Sequence, residues 1–162
     1  MLLKKPQLIA LGIVVLATST LNRIMVVELA LPAVLPGLLV AMHYGVQILR
    51  PRMGFGSDRS GRCTPWILGG MAVLACGGVL GAVAVVTMST SLASGIALSV
   101  LAFLLIGVGV SASGTSVLVL LAKRVSARRR AGAATLVWLM MIAGFAITAG
   151  IAGHLLDPYS EA

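Results

Sequence analysis

The sequence predicts an all-α fold, a polytopic membrane helix bundle of about five transmembrane helices, and three observations carry this prediction. The chain has 162 residues, of which 59% are hydrophobic and only 10% are charged, whereas soluble domains are about 45–50% apolar and about 25% charged. The apolar residues form runs long enough to cross a bilayer, which takes roughly 20 residues. The basic residues fall in short clusters between these runs, as in membrane proteins that follow the positive-inside rule.

The apolar runs give the order of the helices in a single transmembrane domain covering residues 1–162. Pro32 and Pro36 mark the turn after the first run, because proline is tolerated at a helix start but not in its interior. The stretch 63–122 contains no charged residue and is long enough for two helices, which the polar segment 87–94 separates. We therefore predict helices at about 7–29, 33–50, 65–88, 93–122 and 132–156, and cytoplasmic loops at about 50–64 and 123–131.

The basic residues test this layout. Of the 12 lysines and arginines, all but Arg23 fall in segments that five helices and a cytoplasmic N-terminus place in the cytoplasm. The net charge of +8 is then explained by topology and by contact with membrane lipids, and it does not indicate nucleic-acid binding. A cleaved signal peptide beginning at Lys4 and Lys5 is the alternative for the N-terminus. The apolar run continues through residues 24–29, which favours a retained helix.

One predicted loop carries a motif. Residues 54–62 read Gly-Phe-Gly-Ser-Asp-Arg-Ser-Gly-Arg, which resembles the G-x-x-x-D-[RK]-x-G-R loop between helices two and three of the major facilitator superfamily. The resemblance implies the N-terminal half of such a transporter, with a charge relay that locks the two halves together and breaks when the protein changes state. The alternative is a basic turn that only obeys the positive-inside rule. The positions that match this conformational-lock loop are Gly54, Asp58, Arg59, Gly61 and Arg62; the chain departs from the family at Cys63 and Thr64.

Four further segments narrow the resemblance. Residues 21–29, 50–58, 64–71 and 153–160 look like the bacteriochlorophyll-delivery branch of the superfamily, the PucC- and LhaA-like proteins of phototrophic bacteria. The resemblance implies a light-harvesting complex assembly factor of the bacterial inner, intracytoplasmic membrane. It would handle bacteriochlorophyll and dock antenna polypeptides, with the reaction-centre complex as a further partner. Members of this branch have twelve helices, so we expect the chain to correspond to the N-terminal part only.

Ionisable groups at membrane depth are costly and are often functional. Three polar residues, Asn22, Arg23 and Glu28, lie in the last third of the first predicted helix. One interpretation is a polar site for a pigment or a partner. The alternative is an outer-interface pair in which the arginine reaches toward the lipid headgroups. His43, in the second predicted helix, could ligate the magnesium of a chlorin. Its alternative role is a hydrogen bond between helices. We expect no metal site built from protein groups alone.

The sequence does not predict an enzyme. It shows no nucleophile beside a base, no paired carboxylates at membrane depth and no cluster of metal ligands. The alternatives to the assembly factor are a small-solute transporter fragment of the same superfamily and a small structural subunit of a reaction centre–antenna complex. Bound bacteriochlorophyll and antenna polypeptides would favour the first or the last of these three functions, and solute uptake would favour the second.

Overall fold

The computed structural model describes residues 24–28 and 30–156, and the regular elements of this part of the chain are all helical. The predicted all-α membrane bundle is confirmed. Short helical turns occur at Ile24–Glu28 (π), Gln47–Leu49 (3-10) and Ala127–Arg129 (3-10). The α-helices are α1 (Val34–Val46), α2 (Arg50–Arg59), α3 (Cys63–Thr90), α4 (Leu92–Arg124) and α5 (Arg130–Leu156).

Three segments in the described part of the chain are long and apolar enough to cross a membrane. They are α3, α4 and Ala127–Ile147, which contains most of α5. The first predicted helix, 7–29, lies largely outside the described residues. The second predicted helix, 33–50, is not among the three, because α1 ends after 13 residues.

The segment predicted as a loop at 50–64 is instead helical over most of its length, so that prediction is wrong for α2. Pro51 is the physical reason for the break between α1 and α2. It has no N–H to donate to the Gln47 carbonyl, and the Arg50 N–H donates to that carbonyl instead, in the tighter 3-10 pattern. The chain therefore keeps coiling in the right-handed sense through the 3-10 turn and continues as α2, and the connection to α3 is only the short turn at residues 60–62.

The helices α3 and α4 form the centre of the bundle and run antiparallel. Their backbones approach closely at glycines: a Cβ added to Gly70 would lie 2.6 Å from the Ser113 backbone nitrogen, and one added to Gly77 would lie 2.9 Å from that of Ile106. Near the turn that joins the two helices, a Cβ on Gly95 would meet Met88. Such contacts are how helices associate in lipid, where burial of apolar surface gives little driving force.

One cluster of buried apolar side chains lies toward the turn between α3 and α4. Met25, Leu39, Met88 and Phe103 pack together there, and each is at most 4% exposed. These residues come from the π-turn, α1, α3 and α4, so the core joins the first described residues to the central helix pair. In contrast, α5 leaves large apolar side chains more than half exposed, namely Leu136, Trp138, Leu139 and Ile142. Exposed apolar side chains are expected on a helix that faces lipid.

Candidate functional site

The candidate lock motif lies at the end of the bundle where α2 ends, α3 begins and α4 ends. Two glycines of α2 allow it to approach these helices. A Cβ on Gly54 would lie 2.8 Å from the Thr115 Cγ2 atom of α4, and one on Gly56 would lie 2.9 Å from the Trp66 ring of α3. The motif is therefore held against both central helices.

Local hydrogen bonds set the shape of the motif where α2 ends. The Ser57 hydroxyl, fully buried, donates to the Gly54 carbonyl at 3.0 Å, and the Ser60 hydroxyl donates to the Ser57 carbonyl at 3.1 Å. Gly61 follows with a φ of +66°, in the left-handed region that favours glycine. Its N–H donates to the Asp58 carbonyl at 3.2 Å, three residues back in the chain. The glycine thus stops α2 and turns the chain toward α3.

Asp58 forms an ion pair with Lys123, a residue that lies in the last turn of α4 and outside the motif. The Lys123 Nζ atom lies 2.7 Å from Asp58 Oδ1 and also donates to the Asp58 backbone carbonyl at 3.0 Å. The Asp58 side chain is 59% exposed and the Lys123 side chain is 39% exposed, so water screens much of their attraction. The double contact fixes where the end of α2 sits relative to α4 more than it stabilises the fold.

The two arginines of the motif have no ion-pair partner among the described residues. Arg59 and Arg62 are both exposed, and Arg62 is the N-cap residue of α3. The motif thus places two unpaired guanidinium groups beside one neutralised carboxylate. It carries excess positive charge at one end of the bundle, and the cytoplasmic location of that end stays a prediction.

His43 lies in α1 and faces α4. It is 4% exposed, its Nε2 atom lies 3.1 Å from Gln47 Nε2, and its Nδ1 atom has no hydrogen-bond partner in the described part of the chain. Its backbone carbonyl lies 3.0 Å from where a Cβ on Gly107 would be, so α1 and α4 are in close contact at this point. A chlorin macrocycle needs open space next to the ligating nitrogen, and this packing does not provide it. This burial disfavours a magnesium ligand, but the observed hydrogen bond to Gln47 spans only four residues of one helical segment, so the predicted hydrogen bond between helices stays a prediction.

Of the remaining predicted site residues, only the backbone of Glu28 lies in the described part of the chain. Asn22 and Arg23 lie outside the described residues. Glu28 lies in the π-turn, but its side chain is outside what the structure describes. Within the described part of the chain, no group of three or more His, Cys, Asp or Glu side chains could hold a metal ion.

The model of one protein family, described as PUCC protein, matches residues 20–162. This chain belongs to the PUCC family. A relative in Rhodobacter capsulatus named "Bacteriochlorophyll synthase 44.5 kDa chain" is 60% identical over 154 residues, which cover 95% of this chain and 36% of the relative. "Protein PucC" of the same species is 32% identical over 90% of this chain and 34% of the relative. "Protein PucC" of Cereibacter sphaeroides is 28% identical over 95% of this chain and 36% of the relative.

This PUCC family chain therefore spans about a third of the length of the curated relatives it matches. No solved structure matches it significantly. The resemblance to the PucC-like branch that the sequence predicted is thus confirmed at the level of the family, and the wider resemblance to the major facilitator superfamily stays a prediction.

The sequence identifies the residues of the candidate lock motif but not the residues that hold it in place. Thr115, Trp66 and Lys123 contact Gly54, Gly56 and Asp58, respectively, and none was predicted as part of the site. One signal was present in the sequence: Lys123 begins the basic cluster that follows the fourth predicted helix, and Asp58 is the only acidic residue between residues 29 and 156. A carboxylate surrounded by basic clusters is expected to pair with one of them.

Proposed function

We propose that this chain takes part in the assembly of light-harvesting complexes, handling bacteriochlorophyll, docking antenna polypeptides, or both, in the inner membrane of a phototrophic bacterium. The observation that carries the proposal is the 60% identity, over 95% of the chain, to a relative whose name refers to bacteriochlorophyll synthesis. Membership of the PUCC family supports it. The role we propose is not catalytic, although that relative is named as a synthase chain.

The geometry suggests how the chain would contribute to this function. The central pair α3 and α4 is closely packed, and α2 is attached to its end by the ion pair between Asp58 and Lys123. Because this ion pair is exposed, it can open at small free-energy cost, which is what a lock between two conformational states requires. The largely exposed apolar side chains of α5 offer a surface on which a hydrophobic pigment or an antenna helix could lie within the membrane.

Co-purification from the native membrane tests the proposal. The full-length protein, tagged and solubilised gently from phototrophically grown cells, should carry bacteriochlorophyll and antenna polypeptides. Replacement of Asp58 by Asn should lower the level of assembled antenna complex, measured by its near-infrared absorbance in membranes, while Arg128→Gln, which changes a cation on the same end of the bundle outside the motif, should not.

Other results would favour the alternatives. Uptake of a small solute by vesicles that hold the protein, with no pigment or antenna polypeptide bound, would favour a transporter. A constant ratio of the protein to the purified reaction centre–antenna complex would favour a structural subunit. Normal antenna assembly in cells that lack the gene would contradict the proposal.

A further inference from the structure

A cleft of about 400 Å³ opens at the basic end of the bundle, between the beginning of α3 and the end of α4. Residues 61–65 line one side, and Leu120, Lys123 and Arg124 line the other. Because α3 and α4 are antiparallel and both are long enough to span a membrane, their shared end lies near the membrane surface. The cleft is therefore at the depth of the lipid headgroups.

The cleft is positively charged. Three of its lining residues are cations, Arg62, Lys123 and Arg124, and none is acidic. Lys123 is paired with Asp58 from outside the lining, whereas Arg62 and Arg124 are exposed and have no ion pair among the described residues. Two guanidinium groups on opposite walls of one cleft suit a ligand with several anionic oxygens, since each guanidinium can donate two parallel hydrogen bonds to such a group.

The backbone adds donors on the same wall as Arg62. The first turn of α3 has no side-chain cap and no acidic residue, so the N–H groups of Cys63 and Thr64 lack the partner that a capping side chain would give. The Thr64 side chain, which also lines the cleft, supplies a hydroxyl donor. These groups supplement the two arginines, which carry the electrostatic part of the site.

We propose that this cleft binds a phosphate group, and that the phosphate belongs to the headgroup of an anionic phospholipid. Arg62 and Arg124 hold the phosphate from opposite walls, and the first turn of α3 donates to it from the same wall as Arg62. Lys123 lines the cleft and is paired with Asp58 of α2, so an occupied site would join the end of α2, the start of α3 and the end of α4 at one point. The proposal concerns the charge and shape of this cleft and does not depend on the assembly function proposed above.

Native mass spectrometry of the full-length protein tests the site, with dioleoylphosphatidylglycerol, dioleoylphosphatidylcholine and inorganic phosphate as probes. The test variant is Arg62→Gln with Arg124→Gln. The matched control is Arg128→Gln with Arg129→Gln, which removes two exposed cations from the same end of the bundle but outside the cleft. A cation near an anionic membrane surface contributes about a fivefold change in affinity. Two such cations give about a 25-fold change, so we expect the test variant to bind phosphatidylglycerol about 25-fold more weakly than the native protein. The control, whose two cations lie outside the cleft, should differ less than about twofold.

Competition with inorganic phosphate identifies the source of the bound phosphate group. If millimolar inorganic phosphate does not displace the retained lipid, the ligand is a lipid headgroup; displacement would show that the cleft takes soluble phosphate and would overturn the lipid assignment. Equal losses in the test and control variants would show diffuse attraction between basic residues and anionic lipid, with no site. Equal retention of the two lipids by the native protein would also refute the proposal. Helix content by circular dichroism, measured for each variant, separates lost binding from lost folding.

Discussion

Replacement of Gly70 by alanine tests whether the close approach of α3 and α4 holds the bundle together. The Cβ of an alanine at this position would lie 2.6 Å from the Ser113 backbone nitrogen and 2.9 Å from the Gly109 carbonyl oxygen. Both are backbone atoms, so no side-chain rotation can relieve the overlap. The two helices would have to move apart by several tenths of an ångström, and neighbouring contacts along the pair would loosen.

Gly69, the preceding residue on α3, provides a matched control. A Cβ on Gly69 would have no atom of another helix within 4 Å. Both replacements change the intrinsic helix propensity by the same amount, so the difference between the two variants isolates the contact with α4. Overpacking of a close contact costs about 1–3 kcal/mol, and we expect Gly70→Ala to be less stable than Gly69→Ala by this amount.

Unfolding of the purified protein in mixed micelles by sodium dodecyl sulfate, followed by circular dichroism, measures the difference. The double variant Gly70→Ala with Gly109→Ala should be less destabilised than the sum of the single variants, since both affect the same contact and the second Cβ enters a space that the first has already widened. Equal stability of Gly69→Ala and Gly70→Ala would refute the reasoning, because it would mean that the backbones of α3 and α4 are not in contact at Gly70.

Three further predictions follow from the same end of the bundle and from α1. A double-mutant cycle of Asp58→Asn and Lys123→Gln should give a coupling energy of about 0.2–1 kcal/mol, since both side chains are partly exposed. The coupling energy should fall in high salt, which screens exposed charges. A coupling energy above this range would show that the pair is buried. His43→Leu should leave the absorption spectrum of any bacteriochlorophyll bound to the protein unchanged, because the imidazole is packed between α1 and α4, and a shifted spectrum would restore it as a magnesium ligand. Cysteines placed at Arg59 and Arg128, in a background without the native cysteines, should react with an impermeant maleimide from the same side of the membrane, and labelling from opposite sides would contradict the bundle topology.

The sequence predicted the parts of the fold that depend on composition along the chain. Long apolar runs identified α3, α4 and α5, because the length of a spanning helix is set by the thickness of the bilayer. It did not predict that α2 is helical. Residues 50–59 contain Pro51 and two glycines, which favour turns in soluble proteins, but here the proline occupies the first turn of a helix, where its missing N–H leaves no intrahelical bond unmade.

The sequence likewise predicted only part of the candidate site. The motif positions could be found because they are close in sequence and have a recognisable spacing. Their partners could not, since the contact between Asp58 and Lys123 spans 65 residues and depends on the angle and separation of helices that charge patterning does not define. For His43 the sequence left two roles open, and only the packing of α1 against α4 at Gly107 disfavours one of them, the magnesium ligand.

The small residues of α3 and α4 connect the fold to the candidate site. The pairing of Gly70 with Gly109 and the fit of Gly54 against Thr115 bring three helix ends to within the reach of one lysine side chain. If the helices were separated by larger side chains, Lys123 would lie farther from Asp58, and the cleft that Arg62 and Arg124 line would be wider. The geometry of this charged end thus depends on residues that carry no charge and lie within the membrane-spanning helices. Substitutions such as Gly70→Ala should therefore weaken both the ion pair and phosphate binding, although they touch neither.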